Sequence, residues 1–329
     1  MKGRPIPRRQ RGAALLAVLL LVAVTGAIAA VATERLSLSR GVALNSVALD
    51  QARAYAAGIE QLALVAIDDL VVQDPERTTL AGGWNGAVRR VPLPGGGIAQ
   101  MRVRDGGNCF NLNSVVDGDP RTALVRRNSG VLELAGLMGV LGVPEGDARR
   151  IAEAAADWAD SDTATGPGGA EDGAYASGDD RYRTANTLFE EPGELRFVAG
   201  MTPEIMARLR PWLCALPIAE LSPINVNTLL PDQAPLLAML APGRLDVARA
   251  RRIIAARPAD GWGSQVEFWR IDALRDVNPA LDVQLQLQLQ TRWFALDVEV
   301  AMLDSEFTET ALVDARVQPS RLVARRWGE

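Results

Sequence analysis

The sequence predicts an α+β fold: a long N-terminal helix packed on an antiparallel sheet, with a large, mostly helical domain inserted between strands from the two ends of the chain. Three observations predict it. An uncharged apolar run at residues 13–33 leads without a proline into an amphipathic pattern that lasts to residue 70. Strand-like runs occur only near residues 87–103 and after residue 280, and the chain between them reads as helices and loops. At 329 residues, 48% hydrophobic and 23% charged, the chain is too long for one minimal module and has a globular composition.

The N-terminal helix comes first. Lys2, Arg4, Arg8, Arg9 and Arg11 precede Gly12, residues 13–33 carry no charge, and Glu34 and Arg35 close the stretch. As a helix those 21 residues span about 31 Å, the thickness of a bilayer core. The basic flank keeps the N-terminus cytoplasmic and sends the remainder across. Three readings compete: a permanent anchor, a secretory signal cut at the small residues around Ala29 or Ala32, and a prepilin-type leader cut between Gly12 and Ala13. The third fits best, because a short basic leader ends in glycine directly before the apolar run. The helical pattern also continues past it through Leu36, Leu44, Val47, Ile59, Leu62, Ala66 and Leu70. Removal of residues 1–12 takes away five basic and no acidic residues, moving the formal charge from −5 to −10 and discouraging nonspecific nucleic-acid binding.

Gly82 and Gly83 break the helix, and runs at 87–91 and 98–103 separated by Pro92, Pro94 and residues 95–97 predict a β-hairpin. Toward the C-terminus, Val283, Leu285, Leu287 and Leu289 alternate with Gln284, Gln286, Gln288 and Gln290, which predicts a strand. Runs at 293–302, 307–317 and 322–327 complete the sheet. The segments expected are residues 1–12 as leader, 13–33 as membrane span, 34–108 as the rest of the helix and the first strands, 109–280 as the insert, and 281–329 as C-terminal strands. Within the insert, Asn111-Leu112-Asn113 echoes Asn225-Val226-Asn227, and Ala148-Arg149-Arg150-Ile151 echoes Ala250-Arg251-Arg252-Ile253. Two similar helical units are expected, with the asparagines satisfying loop backbone. Units of this kind also occur in helix-hairpin-helix proteins, so a membrane-anchored DNA-binding protein of an uptake system is the alternative function.

Chemistry is constrained by absences. The chain has no histidine, and its one lysine is Lys2, so Ser-His-Asp and Cys-His catalysis, imidazole metal sites and a Schiff-base lysine in the folded body are excluded. Cys109 and Cys214 are too few for a cysteine zinc site and are either one disulfide or two inert thiols. The densest polar cluster runs from Asp157 through Asp160, Asp162, Glu171, Asp172 and Asp179 to Asp180, seven carboxylates with no intervening base, followed by Asn186. Carboxylates crowded in a glycine-rich loop repel one another unless a hard cation neutralises them, and flexible all-oxygen ligation suits calcium. The spacing is not that of an EF-hand. A glycosidase-like carboxylate pair is weighed and set aside, since adjacent residues such as Glu171 and Asp172 seldom face one substrate.

Asp157-Trp158-Ala159-Asp160-Ser161-Asp162, Gly169-Ala170-Glu171-Asp172, Tyr182-Arg183-Thr184-Ala185-Asn186, Glu194-Leu195-Arg196 and Ile224-Asn225-Val226-Asn227-Thr228 together resemble the minor pseudopilin K family of the type II secretion system. The likeness runs from leader to C-terminal strands. It implies a pilin-like fold, no enzymatic activity, and an inserted domain that binds one or two calcium ions through Asp160, Asp162, Glu171 and Asp172, with Asn186 a further candidate. It implies processing between Gly12 and Ala13 by a prepilin peptidase, with methylation, and an inner-membrane anchor bearing a periplasmic soluble part. The implied partners are the I and J minor pseudopilins, the major pseudopilin filament and the inner-membrane assembly platform. Subunits of such filaments usually carry glutamate at the fifth mature position, where this chain has Ala17. A carboxylate in the bilayer needs a partner such as a neighbour's terminal amine, so its absence fits a subunit at the tip of the pseudopilus. In the oxidising periplasm the resemblance also implies a Cys109–Cys214 disulfide.

Overall fold

A computed structural model describes residues 8–176, 181–302 and 305–328. Helix α1 (Arg8–Gln73) is continuous for 66 residues, through Gly12 and Ala13 and on to the proline that follows at position 75. Residues 13–47 of its first part are exposed, and its most apolar window, of mean hydropathy 2.8, is 0% buried among the described residues. From Ala48 onward the helix lies on a sheet.

The contact stripe is Ala48, Ala52, Ala56, Ile59, Ala63 and Ile67, spaced three or four residues apart along one face. It differs from the stripe that bulky residues suggest. Ile59 lies in the contact and Leu70 at its margin, but Leu36, Leu44, Val47, Leu62 and Ala66 are exposed. Alanine carries a weak hydrophobic signal yet brings a helix axis close to a sheet, and larger side chains supplied from the strands fill the gap.

Those strands are β1 (Val88–Pro92), β2 (Ile98–Asp105), β7 (Trp293–Met302), β8 (Ser305–Asp314) and β9 (Arg321–Gly328), antiparallel in the order β1-β2-β7-β8-β9. The β1–β2 hairpin closes through Leu93 N–H donating to Gly97 O, with Gly95 and Gly96 at positive φ where a side chain would be strained. Alternate residues Ala99, Met101, Leu296, Val298, Val300, Met302, Phe307 and Ala311 face α1. Farther along, Ile67 meets Trp84, Phe294, Val313 and Ala315.

The chain leaves the sheet after β2 and re-enters at β7, and Asp105 stands opposite Phe294 where it does so. Between them lie β3 (Phe110–Asn111), β4 (Val116–Asp119), β5 (Ala123–Arg126), α2 (Asn128–Val140), α3 (Glu145–Ala159), α4 (Asp172–Tyr175), α5 (Pro203–Leu209), β6 (Leu213–Cys214), α6 (Ala234–Ala238), α7 (Val247–Ala255), α8 (Gln265–Trp269) and α9 (Leu281–Gln286). One apolar core joins α2, α3, α6 and α7, from Phe110 and Leu134 to Ile253 and Leu287.

The alternating run is not a strand. Residues 281–286 form α9, and Val283 and Leu287 enter the insert's core instead of the sheet, which resumes at Trp293. An alternation of period two also repeats every four residues, so it places Val283 and Leu287 on one helical face and Leu281 and Leu285 on another. Pro279 and the extended Ala280 before it start the helix.

The sequence echo is a structural repeat. Asn111 Oδ1 accepts the N–H of Asn113 at 3.2 Å, and Asn225 Oδ1 accepts that of Asn227 at 2.9 Å. Asn113 then pairs both ways with the Phe189 backbone at 2.7 and 3.0 Å, as Asn227 does with Trp262 at 2.6 and 3.1 Å. Each asparagine pair satisfies backbone that buried loops would otherwise leave without partners. Cys109 and Cys214 are bonded, with Cα atoms 5.8 Å apart, beside the short parallel pair β3–β6. The bridge spans 105 residues of sequence, and closing so long a loop in the unfolded chain is worth about 4–5 kcal/mol in the entropic account.

Glu133 of α2 is 2% exposed in this core, and neither carboxylate oxygen has a partner among the described residues. Burial pushes it from 4.5 up to about 8. The folded chain therefore binds this proton more tightly than the unfolded chain, and stability declines as pH rises from about 4.5 to about 8. Glu133→Gln keeps the shape and removes the charge. Urea unfolding of the detergent-solubilised chain at pH 5, 6.5 and 8 should show a flatter pH dependence for the variant and a gain in stability at pH 8; parallel profiles would assign the loss to another group.

Candidate metal centre

Helix α3 delivers the first half of the acidic cluster. It ends where Asp160 turns extended, and Ser161 is held against β5 by two hydrogen bonds of 2.9 Å with Leu124. Asp162, one residue on, is exposed and accepts the Ala164 N–H at 2.7 Å. The chain then loops over Asp157, which is 1% exposed and accepts the Gly166 N–H at 3.0 Å. Gly169 passes so close that a Cβ there would stand 2.1 Å from Asp157 Oδ2, so glycine is required at this crossing. The loop returns Glu171, buried at 6% exposure, opposite Asp160 at 3%.

One oxygen each from Asp160, Asp162 and Glu171 lie within 4.8 Å of one another. Asp160 Oδ1 and Glu171 Oε1 are buried and without hydrogen-bond partners among the described residues. Burial first, and then the charges of Asp162, Asp157 and Glu171, push Asp160 up to about 6, and burial raises Glu171 and Asp157 as well. Orphaned carboxylate oxygens converging in a partly buried space are the donor set of a hard cation, and no nitrogen or sulfur ligand accompanies them. The residues therefore fit calcium.

Other expected residues fall elsewhere. Asp172 lies outside the three-carboxylate group: its Oδ1 accepts the Thr184 N–H at 3.0 Å and hydroxyl at 2.9 Å, and Arg183 lies 3.9 Å from Oδ2. Asn186 adopts a φ of 47° and donates its backbone N–H to Trp158 O at 3.0 Å, which fastens the returning segment to the end of α3. Asp179 and Asp180 lie outside the described residues. Asp157 is the loop's organiser. Two contributors have roles that the sequence does not show, although Trp158, Tyr182 and Thr184 lie within the motifs that carry the resemblance. Thr184 bridges Glu171 and Asp172, and Trp158, Tyr175, Tyr182 and Phe197 stack behind the site with neighbouring centroids 5.2–5.9 Å apart. Their spacing in sequence carries no common period, so only the folded loop shows them as a unit.

Family models described as type II secretion system, protein K, match residues 108–218 and 224–288. The type II secretion system protein K of Pectobacterium carotovorum subsp. carotovorum is 34% identical over 321 residues, 97% of each chain. The chain belongs to the type II secretion system protein K family. The Aeromonas hydrophila protein K is 36% identical over 290 residues, 86% of this chain and 87% of the relative. A crystal structure of the GspK-GspI-GspJ complex from enterotoxigenic Escherichia coli contains a chain of similar fold, with a TM-score of 0.73 and 29% identity over 85% of this chain and 96% of that one. In this protein K chain the first family segment holds Asp160, Asp162, Glu171 and both cysteines, and the second holds the Asn225–Asn227 repeat.

Gly169→Ala drives a methyl into the Asp157 carboxylate and should cost about 1–3 kcal/mol by urea unfolding. Gly139→Ala, in helix α2 with open space around its Cβ, is the control and should leave stability unchanged or slightly raised. Equal effects of the two would show that the loop does not close over Asp157.

Proposed function

We propose that this chain is a minor pseudopilin that caps the tip of the periplasmic pseudopilus and drives protein export across the outer membrane without catalysing a reaction itself. The observation that carries this reading is α1: one helix whose first half is apolar and wholly exposed while its second half is packed on the sheet. Such a helix is long and apolar enough to anchor the chain in a membrane, and in this reading residues 13–33 lie in the inner membrane with the soluble body in the periplasm. Cleavage by a prepilin peptidase after Gly12 leaves Ala13 as a methylated N-terminus. Ala23, Gly26, Ala27 and Ala30 allow close approach of neighbouring helices within the filament and at the assembly platform. The crystallised relative forms a complex with GspI and GspJ, and the corresponding I and J minor pseudopilins are the partners proposed here, above the major pseudopilin filament. The insert adds bulk at one end of the sheet, which suits a terminal position better than a repeated one. The paired arginines of the helical repeat support structure and not DNA contact where their partners are seen: Arg149 with Glu145 at 2.7 Å, and Arg150 with Asp147.

Calcium belongs to this reading as a structural ion. Asp160, Asp162 and Glu171 would hold it, and it would supply the positive charge that lets three carboxylates share a partly buried space. Thr184, Asp172 and Asn186 keep the loop in place around them. Binding to the folded state alone adds about 2.7 kcal/mol at a hundredfold excess over Kd, which for a chain of 329 residues unfolding as one unit raises Tm by about 4 °C. Calorimetry of the solubilised chain with calcium and with chelator should show such a rise, and Asp160→Asn combined with Asp162→Asn should abolish it; a retained rise would place the ion elsewhere.

The filament role is tested at the N-terminus. Protein recovered from membranes of cells with a prepilin peptidase should yield an intact mass and terminal peptide beginning at methylated Ala13. A chain that retains Arg11 and Gly12, or begins near Ala30 or Thr33, would overturn pseudopilin processing.

A further inference from the structure

The geometry points to a docking groove between α8 and α9 that receives an aliphatic, carboxylate-bearing segment of a partner protein. Helix α9 is apolar on two sides. Val283 and Leu287 are buried in the insert's core, whereas Leu281 and Leu285 are 68% and 58% exposed on the opposite side. Large apolar side chains on a helix face are normally turned to a core or a partner, and here α8 supplies one wall, with Val266 57% exposed and Trp269 half-buried, while the other side is open. These residues line one groove that continues past Leu274 to Pro279.

Charge selects the occupant. The groove's lining includes Arg270 and Arg275 and no carboxylate, on a chain whose formal charge is −5. Among the described residues no carboxylate lies within ion-pair reach of Arg270, and Arg275 is matched by Asp272 in its own turn, both well exposed. The nearby acidic groups are engaged away from the groove. Glu267 accepts the Gly263 N–H at 2.8 Å, Asp276 pairs with Arg249, and Asp282 accepts the Val283 N–H at 3.0 Å. An aliphatic slot edged by an unmatched guanidinium is complementary to large aliphatic side chains flanking a glutamate or aspartate. A second copy of this chain and a lipid surface are the other possible occupants, and the test separates them.

The test uses the full-length chain expressed in place of its counterpart in cells that secrete through this system. It rests on the family's secretion role and not on the tip position. Leu285→Asp should lower secretion at least tenfold with Tm within about 2 °C of the unaltered chain and with normal N-terminal processing, because the side chain is already in solvent. Leu285→Met should restore export. Arg270→Glu should lower it likewise, and Arg270→Lys should retain most of it. A benzophenone amino acid at position 285 should form an adduct whose cross-linked peptide carries an acidic residue among aliphatic ones, and this adduct should disappear with Arg270→Glu. Normal secretion by Leu285→Asp, an adduct at twice the chain's own mass, an adduct with lipid only, or an adduct insensitive to Arg270→Glu would each overturn the proposal. If the unaltered chain fails to support secretion, it is the pseudopilin reading that falls.

Discussion

The structure depends on a buried polar junction where the insert meets the sheet. Asp105, the last residue of β2, is buried, and four groups donate to it: the Thr228 hydroxyl at 2.5 Å, the Thr291 hydroxyl, and the N–H groups of Gly107 and Asn108 at 2.9 and 3.2 Å. Asn225 extends the network, donating to Thr78 O at 3.1 Å and to the Thr291 hydroxyl at 3.0 Å, while its own N–H reaches Asn108 at 2.8 Å. Segments from the end of α1, from β2, from the second asparagine repeat and from the approach to β7 thus share one set of hydrogen bonds. Burial raises Asp105, and the surrounding donors work against that rise, as a satisfied buried network requires. Loss of any donor would leave a desolvated carboxylate, which is more costly than the bond itself.

Seen from this junction, the rest of the molecule is two bodies with different sources of order. The helix and sheet are held by shape: alanines on one side, branched and aromatic side chains on the other, and an ion pair from Glu60 on α1 to Arg325 on β9. The insert relies more on backbone satisfied by asparagine side chains, on the Cys109–Cys214 bond, and on a loop that folds around Asp157. That loop collects three carboxylates, and their mutual repulsion favours a cation.

Much of this architecture was legible in the sequence, and the exceptions have identifiable causes. The strand from Trp293 to Met302 is legible to the residue because its alternation from Phe294 to Met302 is carried by aromatic and β-branched side chains, Trp293, Phe294, Val298 and Val300, which favour a strand over a helix. The Asn-x-Asn echo was read because its repeated residue types do the same hydrogen bonding twice. The run at 283–290 failed because period two conceals period four, and the next turn of chain, not the pattern, decides between them. The face of α1 that packs on the sheet was missed because small residues give little hydrophobic signal while controlling how near two elements come. In the candidate metal centre, the crowding of acids singles out the seven carboxylates of the loop, and the family resemblance then singles out Asp160, Asp162, Glu171 and Asp172 among them. The division of labour that leaves Asp172 to Thr184, and Asp157 to the glycines, is set by where the loop crosses itself.

Asp105 and Phe294 face each other across a strand pair, so the insert begins and ends about one strand spacing apart. In polymer terms the whole of 106–292 is the turn of a β-hairpin. A disordered turn of that length would make the pairing of β2 with β7 a slow, long-range event. An insert that folds first reduces the effective loop to the few residues at its two exits, and the sheet then closes at nearly the cost of a short hairpin. The same geometry makes the insert a replaceable cassette: its size and surface can change while the sheet beneath needs only that the two exits stay adjacent.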